Sequence, residues 1–292
     1  MTRVTVLFFT VAASACAPYA IENQPSRYQE SRITHLVLHF TSEHFERSLE
    51  LLTGRGESRV SVHWLVPEPG DATYPHDALR AYRLVPESRR AWHAGRSYWA
   101  GAALLNASSI GIEIVNRSAC VEDPAVDPPV PEAQNCTWLP FPDEQVELVI
   151  RLAADILARN PDIEPFDVVG HGDIAPTRRV DPGPLFPWRR LYDAGIGAWF
   201  DDDTAAAWRD RFETAPPSLL LVQRALGAWG YDVAETGEND AATRFVVRAF
   251  QMHFRPANHD GTADAETVAI LFALLEKYRP AQLRRVQEGD GA

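Results

Sequence analysis

Apolar residues fall in short runs along this chain, and their spacing predicts an alternation of strands and helices. Ile33 to Phe40 is nearly continuous and reads as a buried strand. Phe45, Leu49 and Leu52 then repeat at helical spacing, which predicts a helix over Ser42 to Leu52. Val60 to Val66 and Ala81 to Val85 read as further strands. Ile110 to Val115 carries little polarity and reads as a strand buried on both faces. Pro142 opens the longest helix, whose apolar stripe is Val146, Val149, Ile150, Ala153, Ile156 and Leu157. Proline suits a first turn, where its missing donor would have no partner. Phe166 to Val169 adds a last strand. The fold class expected is therefore α/β, a mixed central sheet flanked by helices, with the strand order left open.

The composition changes at Asp201-Asp202-Asp203 and again at Ala215-Pro216-Pro217, so 201–216 reads as a linker after a first domain over 32–200. Beyond it, Leu219, Leu220, Val222 and Leu226 mark one amphipathic helix. Phe245, Val246 and Phe250 mark a second, and Val268, Leu271, Phe272 and Leu275 a third. A small C-terminal helical bundle over 217–280 and a polar tail over 281–292 are the result.

With 292 residues, 46% hydrophobic and 23% charged, the chain can bury a sizeable core. Its net charge of -12 argues against nucleic acid as a partner, because phosphates demand a basic surface. The amino terminus has a leader pattern. Arg3 precedes an apolar run from Val4 to Ala13, too short to span a bilayer as a helix and suited to a signal-peptide core. Ala13-Ser14-Ala15-Cys16 reads as a lipobox, giving a signal peptide over 1–15, lipidation at Cys16 and a tether over 16–31. The competing reading is simple cleavage, releasing a soluble exported protein. Export permits a disulfide between the remaining cysteines, Cys120 and Cys136, which bracket a Pro-rich segment. Zinc binding by these two is a weaker reading, since neither has a second cysteine at ligand spacing.

The chemistry concentrates in a few polar residues set among apolar ones. His171 and Asp181 lie on a Gly- and Pro-rich loop without helical period, after an apolar strand end. His39 and Glu113 sit inside apolar runs, and a charge buried there costs several kcal/mol unless compensated. A metal would compensate it: two histidines and a carboxylate are a zinc donor set that leaves one position open.

These residues carry a family resemblance. Leu38-His39-Phe40-Thr41, Ala91-Trp92-His93-Ala94-Gly95, Ser109-Ile110-Gly111-Ile112-Glu113 and the His171 to Pro184 loop, running on through Leu185-Phe186-Pro187-Trp188, occur in that order. The chain resembles the zinc-dependent N-acetylmuramoyl-L-alanine amidases of the Amidase_2 type, which share a fold with peptidoglycan recognition proteins. Its end, Phe250 to Pro256, is similar to the C-terminal domain of outer-membrane lipoprotein members. Gly237 to Thr243 and Gly261 to Thr267 are similar to turns of peptidoglycan-binding modules.

The resemblance implies Zn2+ on His39, His171 and Asp181, with Glu113 as general base. It implies Arg179 where many relatives carry lysine; arginine keeps the positive charge for an oxyanion but is no acid at neutral pH. Trp92, His93 and Asn106 become candidate substrate contacts. His63 is expected behind the ligands, and His35 as an ordinary strand histidine on the same face as His39. The expected partner is peptidoglycan or its muropeptides, and the expected location the periplasmic face of the outer membrane. There the chain would act as a monomer, reaching the membrane by its lipid anchor alone. Some members of the recognition branch bind muropeptides without cutting them, so a non-catalytic binding protein is the alternative. No Gly-x-Ser-x-Gly or plausible cysteine nucleophile points to a serine or cysteine hydrolase.

Overall fold

β1 (His35–Phe40) and β6 (Ser109–Ile114) are the two longest strands and the centre of the molecule. Both are runs of β-branched and aliphatic residues, and Leu36, Leu38, Ile110, Ile112 and Ile114 are fully buried. In chain order, α1 (Phe45–Leu52) and β2 (Trp64–Val66) follow β1. β3 (Tyr82–Arg83), β4 (Tyr98–Trp99) and β5 (Ala102–Ala103) come next, before β6. The main sheet runs β3-β2-β6-β1 and is completed by β9 (Val168–Gly170). Its strands are parallel except for β3, which pairs antiparallel with β2. This computed structural model describes residues 22, 24–57, 59–127 and 129–289. The leader and Cys16 lie outside the described residues. Residues 24–30 hold no helix or strand, and the chain from Ser31 onward forms one compact unit.

β7 (Ala119–Glu122) and β8 (Gln134–Thr137) form a separate antiparallel hairpin in the Pro-rich segment. Its register sets Cys120 opposite Cys136, and a disulfide joins them. α2 (Asp143–Arg159) buries Val146, Val149, Ala153 and Ile156 in the core. It has Asp143 and Glu144 in its first turn and Arg159 in its last, charges that suit the helix dipole. The loop expected after β9 begins instead as one helical turn, α3 (His171–Ile174). The Asp173 carboxylate accepts the Gly170 N–H and caps that turn, so a local hydrogen bond outweighs the Gly- and Pro-rich composition.

After α4 (Trp188–Asp193), two expectations change. The segment 201–216 is not an extended linker: it holds α5 (Asp202–Thr214), whose Phe212 meets Phe272 at 4.9 Å between ring centroids. The expected polar tail over 281–292 is helical as far as it is described: α9 (Pro280–Gly289) buries Leu283 and Val286. Both helices are mostly polar, and their few apolar residues acquire meaning only beside the bundle. That bundle is α6 (Leu219–Trp229), α7 (Ala241–Phe254) and α8 (Ala265–Tyr278). It repeats one device twice. Asp240 caps α7 at the Thr243 N–H while Gln223 binds the Gly237 N–H and the Thr243 hydroxyl. Asp264 caps α8 at Thr267, and Gln251 binds Gly261 and Thr267 in the same way. The bundle shares one hydrophobic core with the sheet: Trp229, Phe250 and Leu271 belong to the same buried cluster as Leu38 and Ile112.

Candidate metal centre

Strand register builds the site. His39 pairs with Glu113 across β1 and β6, while Leu38 pairs with Gly170 across β1 and β9. Neighbouring parallel strands therefore present Glu113, His39 and His171 in one row at their carboxyl ends, where open α/β sheets collect their ligands. Asp181 returns to this row because its carbonyl accepts the Gly172 N–H at 2.7 Å. Gly170 is required at the crossing: a Cβ there would lie 2.6 Å from Pro182 Cδ.

Three donor atoms converge. His39 Nδ1 lies 3.1 Å from His171 Nδ1 and 3.0 Å from Asp181 Oδ2, and His171 Nδ1 lies 3.2 Å from that same oxygen. Tetrahedral zinc with bonds of about 2.0–2.1 Å separates its ligand atoms by about 3.3 Å, close to this triangle. All three residues are buried.

The surrounding hydrogen bonds decide where the protons are. The Leu105 carbonyl can only accept, so the Ser109 hydroxyl at 2.6 Å donates to it. Ser109 Oγ must then accept from His93 Nε2–H at 3.2 Å. His93 Nδ1 is left as an acceptor for His39 Nε2–H at 2.9 Å. His39 Nδ1 thus carries a lone pair and faces a carboxylate. His171 Nε2 faces the Ala94 carbonyl at 3.3 Å, which puts its proton there and leaves Nδ1 bare as well. Three lone pairs crowding one point is an unfavourable arrangement that a cation resolves. Burial depresses the His39 pKa to about 4, with Asp181 opposing, so the ring stays neutral as a ligand must be.

Glu113 stands beside this triangle. Its Oε2 is buried with no hydrogen-bond partner among the described residues. Burial, aided by the Asp181 charge, pushes its pKa well above the carboxylate range, and Arg179 opposes this. Arg179 is exposed; its guanidinium makes a 3.4 Å contact to the Arg178 carbonyl, and its charge is felt at both Glu113 and His39.

The chain matches the family model for N-acetylmuramoyl-L-alanine amidase over residues 29–184, and that for a putative peptidoglycan binding domain over 216–271. It is 44% identical over 254 residues to the N-acetylmuramoyl-L-alanine amidase AmiD of Escherichia coli, covering 85% of this chain and 84% of that protein. This chain belongs to the N-acetylmuramoyl-L-alanine amidase family. Two solved structures of relatives match its fold. AmpDh3 from Pseudomonas aeruginosa superposes with a TM-score of 0.79 at 42% identity, covering 89% of this chain and 99% of that one. E. coli AmiD, in complex with anhydro-N-acetylmuramic acid-L-Ala-D-gamma-Glu-L-Lys, gives 0.72 at 41% identity, over 87% and 93%.

Within this amidase, several residues expected at the substrate surface lie elsewhere. His93 is buried behind His39 with both ring nitrogens engaged, so it has no polar atom left for a substrate. A Cβ on Gly111 would lie 2.6 Å from that ring, so glycine there makes room for it. Asn106 is buried too, and its carbonyl oxygen takes the N–H groups of His93 and Ala94. It shapes the backbone that presents His93. Trp92 is half exposed under the Arg90 guanidinium and lines a groove with Leu52, Val60 and Leu84 that includes no metal-centre residue. His63 donates to the Arg89 carbonyl and accepts the Gly111 N–H, bracing β6. His35 sits at the far end of β1, 3.8 Å from Asp167. Arg178, next to Arg179, is tied to the carbonyls of Ala94 and Arg96. Ser109 was not singled out by sequence reasoning; a serine at a strand start has no signature until its partners are known.

Proposed function

We propose that this N-acetylmuramoyl-L-alanine amidase holds one zinc ion on His39, His171 and Asp181 and hydrolyses the amide between N-acetylmuramic acid and the first L-alanine of peptidoglycan stem peptides. The observation that carries this is the converging triangle of three lone-pair donors beside Glu113, whose Oε2 is buried without a partner among the described residues. The anhydromuramyl peptides held by AmpDh3 and AmiD support the substrate class.

When bound, zinc would lower the pKa of a water and polarise a carbonyl. Glu113 would take a proton from the attacking water and deliver it to the departing alanine nitrogen as the carbon–nitrogen bond breaks. Arg179 would face the oxyanion with a fixed positive charge. Incubation with an anhydromuramyl tripeptide, followed by mass spectrometry, should give the free sugar acid and a peptide beginning with L-alanine, and a chelator should stop it. Binding of the muropeptide without cleavage by the zinc-loaded protein would instead support the alternative, a non-catalytic binding protein.

Arg179→Ala should lower kcat by about a hundredfold, comparable to losing one oxyanion donor, with zinc content unchanged. Arg179→Lys should keep much of the activity. Equal activity of the alanine variant and the wild type would remove Arg179 from the chemistry.

The proposed setting is the periplasmic face of the outer membrane, with the chain acting as a monomer anchored through Cys16. The Cys120–Cys136 disulfide supports an oxidising compartment. Among the described residues, no helix is long and apolar enough to cross a membrane. The 216–271 segment would supply further contact with peptidoglycan. Labelled fatty acid should be incorporated by the wild type and lost in Cys16→Ser; an unlabelled wild type would refute the anchor.

A further inference from the structure

A buried junction ties the C-terminal helices to the turn that carries His171. Asp173, two residues beyond that ligand, is only 4% exposed. Its carboxylate accepts three hydrogen bonds. One comes from the Gly170 N–H at 2.7 Å, within the same turn. The others come from the helical unit: the Tyr231 hydroxyl at 2.6 Å and His253 Nδ1–H at 2.8 Å. Tyr231 is buried just past the end of α6, its ring 5.0 Å from Trp99. His253, on α7, is stacked on Trp188 at 3.8 Å and on Phe254 at 3.9 Å.

A buried carboxylate missing its partners is costly, so these two donors are constraints on where Asp173 can sit. Asp173 in turn caps the Gly170–His171 turn, and Gly172 in that turn holds the Asp181 carbonyl. A displacement of Asp173 therefore reaches two of the three donor residues. A module that served only to hold peptidoglycan would have no need to bury a tyrosine and a histidine against this acid.

We infer that the C-terminal helical unit is a structural part of the metal centre, with Tyr231 and His253 as positioning residues that hold Asp173 and so present His171 to the ion. This rests on the zinc reading above. Groups that hydrogen-bond the ligands themselves commonly contribute about 10- to 100-fold to metal affinity; Tyr231 and His253 act one contact further out, so the lower end of that range is expected.

The test measures zinc affinity of the full-length chain by competition with a chromophoric chelator, alongside thermal unfolding of the metal-free protein. Tyr231→Phe keeps the ring and removes one donor; zinc affinity should fall about tenfold. His253→Phe keeps an aromatic between Trp188 and Phe254 and should fall similarly, whereas His253→Asn retains an N–H donor and should recover most of the loss. Should the His253 variants fail to fold, Tyr231→Phe carries the test alone. Lys277→Met is the control, because Lys277 binds Asp201 and Tyr192 in the same part of the chain, away from Asp173. Unchanged zinc affinity in Tyr231→Phe, or an equal loss in Lys277→Met, would overturn the inference. A wild type that binds no zinc at all would defeat the metal reading first, and this inference with it.

Discussion

Glu113→Gln will abolish most turnover, lowering kcat by about a hundredfold or more, while zinc binding stays intact. Glutamine keeps the shape of the side chain but cannot accept a proton. Glu113 lies beside the donor triangle and is not one of its three members, so the ion has no reason to leave. The same substitution should leave the metal-free protein at least as stable as the wild type near neutral pH. The sign follows from the raised pKa. A carboxyl whose folded pKa exceeds its unfolded value costs nothing while both states are protonated. It destabilises the fold progressively as pH rises from the unfolded value towards the folded one. Glutamine has no such charge to bury. Activity lost together with zinc would make Glu113 a ligand; activity retained would remove it as the base.

His39→Ala, His171→Ala and Asp181→Ala should each remove zinc and activity together, with kcat falling to background. Two donors cannot complete a tetrahedral zinc site of this type. Asp181→Ala should be the most severe for the ion, since it takes away the only negative charge in the triangle. His39→Ala has a further consequence: His93 Nδ1 loses the N–H it accepts and becomes a buried acceptor without a partner, which costs about 1–3 kcal/mol. That variant should therefore also melt lower in the metal-free state than Asp181→Ala. Elemental analysis and a chelator series check the first claim, calorimetry the second. Full amidase activity from a verified metal-free sample would refute the zinc mechanism altogether.

Much of this architecture was legible in the chain itself, for local reasons. The apolar runs around Leu36 and Ile112 announce buried strands because a β-branched run has few other uses. The stripe from Val146 to Leu157 announces a helix through its period. His39 and Glu113 stood out because a polar side chain inside such a run must be compensated by something. The blocks around them identified the family, and the family implied the roles.

What the sequence could not supply was pairing across elements. Register between β1, β6 and β9 decides that Glu113, His39 and His171 share a row, and a shift of one residue would turn a side chain to the opposite face. His93 looked like a substrate contact because a histidine beside tryptophan and glycine reads the same whether it lines a groove or backs a ligand. Only the chain from His39 through His93 and Ser109 to the Leu105 carbonyl settles its proton and its role. The segments 201–216 and 281–292 read as linker and tail because α5 and α9 carry few apolar residues, and those few are useful only against α8 and α6. Asp173 carries no signature of its own in the sequence; its partners lie 58 and 80 residues further along the chain. Composition and period report what each segment can bury. Which donor meets which acceptor is a property of the packed molecule, and in this amidase that pairing decides how the metal centre is held.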